Sequence, residues 1–397
     1  MASNTQQVAT PHVAALASSN TKFAWQLYQA VSTSSKSNIV FSPFSITVAM
    51  GMTMLGTRSK TAEQVKKVMN YEELDDEHIH AAFNGIQKSL KELGSNHIKM
   101  HVANRLYGHL GYNFLPNFLD GTVKHYNAEF GKVDFGQSET VRQEINKWVE
   151  DQTAEKIKDL IGPGVLDALT RLVLVNAIYF KGNWDNKFDE AATLVEDFHV
   201  SPSQTIKADM MHQTHKLPLG YSRDLDAKLL ELPYVGKNTS LYILLPVQTH
   251  GLQALESKLT ADQLHNLEET FHPRPIKTDV SLPKFQLDGD FSLSKTLSTM
   301  GMPDLFTEGV ADLSGMDGTT ELYVSAVLHK AFMEVNEEGT EAAAATAHVI
   351  MTRSLPMTEE FNADHPFLFF IKDKVSQSIL FLGRMCEPPV SKSKDEL

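Results

Sequence analysis

The sequence predicts an α+β fold with large sheets, and three observations carry that expectation. Apolar residues recur at helical spacing through the first third of the chain. From Leu172 onward, short runs of β-branched and aromatic residues dominate. The two kinds of segment do not alternate as βαβ units would.

The elements follow in order. Thr21 to Val31 has the helical period. Ser42-Pro43 starts a second helix, with proline at its first position, running through Ala49 to Leu55. Thr61 to Met69 follows with Thr61 as its cap, and Asp76 to Leu93 and Thr140 to Ile157 are further amphipathic helices. "LVLVNAIYF", beginning at Leu172, reads as a buried central strand. "KLLELPYVGKNTSLYILLP" reads as two strands joined by a turn at Gly236-Lys237-Asn238. "TDVSLPKFQL", "AFMEVNEEG", "PFLFFIKD" and "SILFLGRM" are further strand candidates.

One stretch resists a single reading. "EEGTEAAAATAHVIMTRSLPM", Glu337 to Met357, holds an alanine run that favours a helix. Gly339, the β-branched pair Val349 and Ile350, and Pro356 disfavour one. Small side chains equally suit a strand that slides between two others, so the stretch alone leaves both readings open.

Composition excludes several classes of function. The 397 residues are 42% hydrophobic and 21% charged, which is globular composition with enough chain for a sizeable core. A net charge of −13 argues against general nucleic-acid binding. Lys66, Lys67, Lys88, Lys91 and Lys99 make either a local strip for a polyanion or solvated faces. No apolar run is long enough to span a membrane, and the single cysteine, Cys386, excludes an internal disulfide.

The N-terminus is not a signal peptide. Yet Lys394, Asp395, Glu396 and Leu397 form the KDEL address that returns proteins to the endoplasmic reticulum, in a polar tail after Pro388-Pro389. The simplest reconciliation is a signal peptide upstream, with Met1 not the natural start. The expected location is therefore the lumen of the secretory pathway, with a KDEL receptor as one partner. Asn238-Thr239-Ser240 is the glycosylation sequon that fits it.

No hydrolase elbow, Walker loop, H-E-x-x-H or C-x-x-C is present, so neither an enzyme nor a metal or other cofactor is expected. His78 and His80 stand two apart and do not share a helix face. His212 and His215 would share one only in a helix. Solvent-facing histidines explain both pairs.

Five separated motifs carry a resemblance. They are "NIVFSPFSITVAMGMTMLGTRSKTAEQV" from Asn38, "INKWVEDQTAEKIKDLI" from Ile145, "LVLVNAIYFKGNWDNKF" from Leu172, "AVLHKAFMEVNEEGTEAAAATA" from Ala326, and "HPFLFFIKD" with "ILFLGRM". Together and in order they resemble the serpins, from about Asn20 to Pro388. The resemblance implies about nine helices, three sheets and an exposed reactive-centre loop at about 337–360. It implies one domain over 1–388 and a monomer; residues 389–397 lie outside the family core and, being short, polar and charged, are expected to form a flexible tail.

In that family the ambiguous stretch is a bait that a protease cleaves and that then inserts as a strand in the central sheet. The bond follows the hinge glycine by fourteen residues, which here runs from Gly339 to Arg353 and places the cleavage at Arg353–Ser354. Ile350, Met351 and Thr352 flank it. The hinge comprises Glu337, Gly339, Thr340, Ala342, Ala344 and Thr346. The last four alternate, so they share one face of a strand, and small residues there fit a closed sheet. The resemblance assigns Ser42, Ser45, Asn176 and His329 to the shutter under the sheet. It assigns Trp184, Lys284 and Glu337 to the breach, where the loop first enters.

The implied activity is suicide inhibition of a trypsin-like serine protease through a covalent complex. Arg353 would fill the acidic specificity pocket. Two features depart from the family pattern or the address. His348 sits on the inward parity where an apolar residue is expected. The bait offers one base, whereas the subtilisin-like proprotein convertases of the lumen favour clustered ones. A convertase inhibitor and a non-inhibitory chaperone of the endoplasmic reticulum remain alternatives. The small inward hinge face favours an inhibitor.

Overall fold

The structure is a computed structural model that describes residues 11–33, 35–93, 98–338 and 358–391. In chain order these residues form α1 (Pro11–Ser32), β1 (Ile39–Phe41), α2 (Pro43–Met54), α3 (Ser59–Val68), α4 (Asp76–Leu93), β2 (Ile98–His109), α5 (Pro116–Tyr126), β3 (Phe130–Val133) and α6 (Ser138–Gln152). Then come β4 (Leu172–Gly182), β5 (Leu194–Ser201), β6 (Gln204–Leu217), β7 (Leu219–Ser222), β8 (Ala227–Pro233), β9 (Thr239–Pro246), α7 (Leu252–Lys258) and α8 (Ala261–His265). The chain closes with β10 (Ile276–Pro283), β11 (Phe285–Ser292), α9 (Ser294–Met300), α10 (Ser314–Asp317), β12 (Ala326–Val335), β13 (Glu359–Asn362), β14 (Phe367–Asp373) and β15 (Ile379–Met385). Ten α-helices stand among the described residues, against about nine expected.

Three sheets organise the molecule, in the orders β1-β15-β14-β9-β8-β7, β13-β10-β6-β5 and β11-β12-β4-β2-β3. The last is the central sheet. Alternate residues along β4 enter different cores: Leu172, Leu174, Ile178 and Phe180 join the main core, while Val173, Val175 and Ala177 join the cluster under α6. Both faces of β4 are therefore covered, which is why its sequence reads as a continuous apolar run. β4 and β12 pair directly and in parallel, from Ala326↔Val173 to Met333↔Phe180.

Several sequence expectations shift. The first helix begins at Pro11 rather than Thr21. Ser42 caps α2 as expected, its hydroxyl accepting from Ser45 N–H. Thr61 is not the cap of α3, which starts at Ser59; its hydroxyl accepts from Asp312 N–H instead (3.0 Å). α6 stops at Gln152, short of Ile157, because Ala154 and Glu155 take positive φ. The single run "TDVSLPKFQL" divides at Lys284 into β10 and β11, which belong to different sheets. The turn between β8 and β9 does lie at 236–238, with Gly236 and Lys237 at positive φ, and leaves Asn238 exposed.

β6 was not anticipated. It is a strand, so His212 and His215 point to opposite faces. His80 is not solvent-facing either: it is buried with Nδ1 on the Tyr126 hydroxyl (2.5 Å). Among the described residues no helix is long and apolar enough to cross a membrane.

Candidate functional site: the seam of the central sheet

Ser42, Ser45, Asn176 and His329 meet under the central sheet, at the seam between β4 and β12. The sheet register creates the meeting. Asn104 on β2 faces Asn176 on β4, and Asn176 faces His329 on β12, so three adjacent strands present one polar row to the main core. The N-terminal turn of α2 lies against that row.

The hydrogen bonds fix the tautomer of His329 and the orientation of the Asn176 amide. Ser42 N–H donates to His329 Nε2 (3.0 Å), which must therefore be unprotonated. His329 Nδ1 then carries the proton and donates to the Asn176 side-chain oxygen. That orients the Asn176 amide nitrogen toward Ser45, whose carbonyl (2.7 Å) and hydroxyl oxygens accept from it. The Ser45 hydroxyl donates to the Asn104 side-chain oxygen (3.0 Å), which also accepts from Asn176. Complete burial keeps the His329 imidazole neutral and pushes its pKa down to about 3. Phe291 of β11 stacks beside the ring.

A second group holds the upper end of the seam, where the chain leaves β12. Glu337 is buried and accepts from Lys284 Nζ (2.7 Å) and the Thr193 hydroxyl (2.8 Å). Burial opposes its ionisation, but Lys284, its own backbone N–H and Thr193 outweigh that and hold the carboxyl below its ordinary range. Trp184 stacks on Tyr234 and donates its indole N–H to Asn336 O (2.8 Å). Lys181 of β4 bridges Glu334 at the end of β12 (3.2 Å) and Glu338 on the departing chain (3.1 Å).

The structure thus brings the four residues assigned to the shutter into one network; of the three assigned to the breach, Lys284 and Glu337 pair directly, and Trp184 bonds to Asn336, the residue before Glu337. Gly339, Thr340, Ala342, Ala344, Thr346, His348, Ile350 to Ser354 and Lys394 to Leu397 lie outside the described residues. Asn104, Lys181, Thr193, Glu334, Asn336 and Glu338 were missed in the sequence, since only sheet register places them. Burial pushes the Cys386 thiol up to about 11, which removes it as a nucleophile. The lysines considered for a polyanion sit on α3, α4 and β2, and Lys66 is paired with Asp76 (2.7 Å).

A five-stranded sheet whose strands β4 and β12 pair directly in parallel, with one polar network at their seam and another where the chain leaves β12, is the architecture of the serpin class. Residues 18–388 match the family model described as Serpin (serine protease inhibitor), and the chain belongs to that family. It is 45% identical over 379 residues to the leukocyte elastase inhibitors of Equus caballus and of Homo sapiens, covering 94% of this chain and 99% of each relative. Among solved structures it resembles uncleaved ovalbumin, at TM-score 0.86 and 28% identity over 94% of this chain and 100% of that one. Maspin superposes at TM-score 0.88 and 27% identity, over 96% and 100%. The chain is accordingly a protease inhibitor of serpin type and not an enzyme.

Proposed function

We propose that the protein is a suicide substrate of trypsin-like serine proteases, cleaved at Arg353–Ser354, that traps the acyl-enzyme by inserting the cleaved loop between β4 and β12. The direct parallel pairing of those strands carries the reading. A segment that follows β12 through a turn runs antiparallel to both. Its insertion would replace one parallel ladder with two antiparallel ones, which are slightly more stable per residue. About 15 residues gaining ladder bonds at about 1 kcal/mol each give on the order of 10 kcal/mol after discounting, comparable to a whole domain's stability. That suffices to distort a tethered protease. Losing even one oxyanion donor slows acyl transfer by about 10²–10³, so the acyl-enzyme persists.

The target class rests on Arg353. The relatives are named elastase inhibitors, and an elastase pocket is small. An arginine at the cleaved bond instead suits an acidic pocket. We place the inhibitor in the lumen of the endoplasmic reticulum through Lys394–Leu397, with a KDEL receptor as its second partner. The exposed position of Asn238 is compatible with a glycan there.

The test is incubation with trypsin, elastase, chymotrypsin and a proprotein convertase, resolved on a denaturing gel. Trypsin is expected to form a complex that survives boiling in SDS, with cleavage after Arg353 by mass spectrometry. Arg353→Ala is expected to lose trypsin inhibition. Cleavage elsewhere, or a complex with elastase alone, overturns the assignment.

A further inference from the structure

The chain beyond β15 does not leave the body at once. Asn38 grips it first: its side-chain oxygen accepts from Cys386 N–H (2.6 Å) and Glu387 N–H (3.0 Å), and its amide donates to Glu387 O (2.7 Å). The chain then runs alongside β6 in the same direction. Glu387 meets Gln204 (3.5 Å), and Ser391 meets Lys207 and Asp209. The Ser391 N–H donates to Lys207 O (2.9 Å) and its hydroxyl to Asp209 Oδ1 (2.6 Å).

This part of β6 is paired with β5 on one side and, apart from the chain end, is met on the other only at Asp209, whose carbonyl accepts from Lys284 N–H (2.8 Å). β5 covers it from Gln204 to Met210, whereas β10 begins its pairing on the other side at Met210. The chain's own end meets that open edge. Residues 389–391 lie beyond the family match, which stops at 388, so this contact belongs to the extension that carries the terminal tetrapeptide.

We propose that Ser391, Lys207 and Asp209 form a clasp that sets how far Lys394–Leu397 reaches from the body, and hence how readily a receptor takes them. The proposal rests on the reading of that tetrapeptide as a retention address. With Ser391 held, Lys394 stands at most about 10 Å of chain from the clasp. With Ser391 released, the nearest grip is Glu387, and the reach grows to about 24 Å. A receptor that encloses the last four residues and their carboxylate needs clearance from the folded body, so the docked tail is the poorer ligand. The Ser391 hydroxyl bond is charge-assisted through Asp209, which favours the docked form. Asp209 joins the clasp to the clamp, because its carbonyl accepts from Lys284 N–H (2.8 Å), but Ser391 itself touches neither the seam nor Glu337, so changing Ser391 alone leaves the Asp209–Lys284 bond in place and is expected to act on presentation.

Four full-length forms test it: the parent, Ser391→Thr, which keeps both donors, Ser391→Ala, which loses the hydroxyl, and Ser391→Pro, which loses both. The readout is the rate at which carboxypeptidase removes Leu397 from the folded protein, timed by mass spectrometry. Ser391→Thr is expected to match the parent, Ser391→Ala to be cut about threefold faster, and Ser391→Pro about tenfold faster. All four are expected to inhibit trypsin equally. Supplied with a signal peptide in cells, Ser391→Pro is expected to be retained more completely than the parent. Equal digestion of all four overturns the clasp. Faster digestion of Ser391→Pro without better retention, in cells that retain the parent over a chain ending at Ser393, overturns its role in presentation. If the parent and the chain ending at Ser393 are secreted alike, the address reading fails instead, and the digestion series still reports on the clasp.

Discussion

His329 and Asn176 face each other at one register position of two parallel strands, and the His329 Nδ1–H donates to the Asn176 side-chain oxygen across the seam between them. A strand entering between β4 and β12 has to break that bond. On the insertion proposed above, the pair would act as a latch on the parting of β4 and β12. The same imidazole accepts from Ser42 N–H, so the latch is also tied to the start of α2.

This contact is expected to be sensitive to acid. The folded His329 is held down to about 3, below its ordinary 6.5, so the unfolded chain binds the proton more readily. Its contribution is complete above about pH 6.5 and is lost as pH falls toward 3. The thermal midpoint is expected to drop through that window by an amount equivalent to a few kcal/mol. A His329→Gln variant is expected to show a flatter profile. Parallel pH profiles for the two would refute the assignment.

Asn104 completes the row although no motif marks it. Removing its side chain in Asn104→Ala takes the acceptor from the Ser45 hydroxyl and from the Asn176 amide. The expected cost is about 1–3 kcal/mol by denaturant titration, with faster spontaneous loss of inhibitory activity on warming. Wild-type stability in this variant would show that the two amides are not coupled.

At the upper end, Glu337→Gln keeps the size of the side chain but removes the charge facing Lys284. Because the Glu337 carboxyl is held below its ordinary range, its contribution is present above about pH 4.5 and fades as pH falls through the folded value. Glu337→Gln is therefore expected to be less stable than the parent at pH 7 and to approach it at low pH. A constant difference at every pH would mean that the charge is not what matters.

Thr340→Arg tests the inward face of the hinge. Insertion would bury an unpaired guanidinium in the sheet, which is costly. Trypsin is expected to cleave the variant and leave active, giving a sharp rise in the moles of inhibitor consumed per mole of enzyme. Inhibition equal to the parent's would exclude insertion through this hinge.

Much of the fold was legible because it rests on local patterns. The Ser42-Pro43 start of α2 announces itself by cap chemistry. β4 announces itself because both its faces are buried and its residues are therefore apolar throughout. β6 did not, because it mixes buried Met210 and Met211 with exposed Thr214, His215 and Lys216, and so has neither the alternation of a half-buried strand nor the run of a buried one. The division at Lys284 was equally hidden, since strand propensity continues across a point where only the neighbouring sheets decide direction.

The sequence by itself determined the family, the spacing from Gly339 to Arg353 and the terminal tetrapeptide, because each is a matter of residue identity and separation along one chain. The tertiary structure decided which residues act together. Asn104, Asn176 and His329 are far apart in sequence and become one hydrogen-bonded row only when β2, β4 and β12 align in register. Ser391 reaches Lys207 and Asp209 because the pairing of β10 with β6 stops at Met210 and leaves the preceding stretch of β6 free for the chain end. Register and sheet order are set by the packing of the whole core, and no local stretch of sequence encodes them.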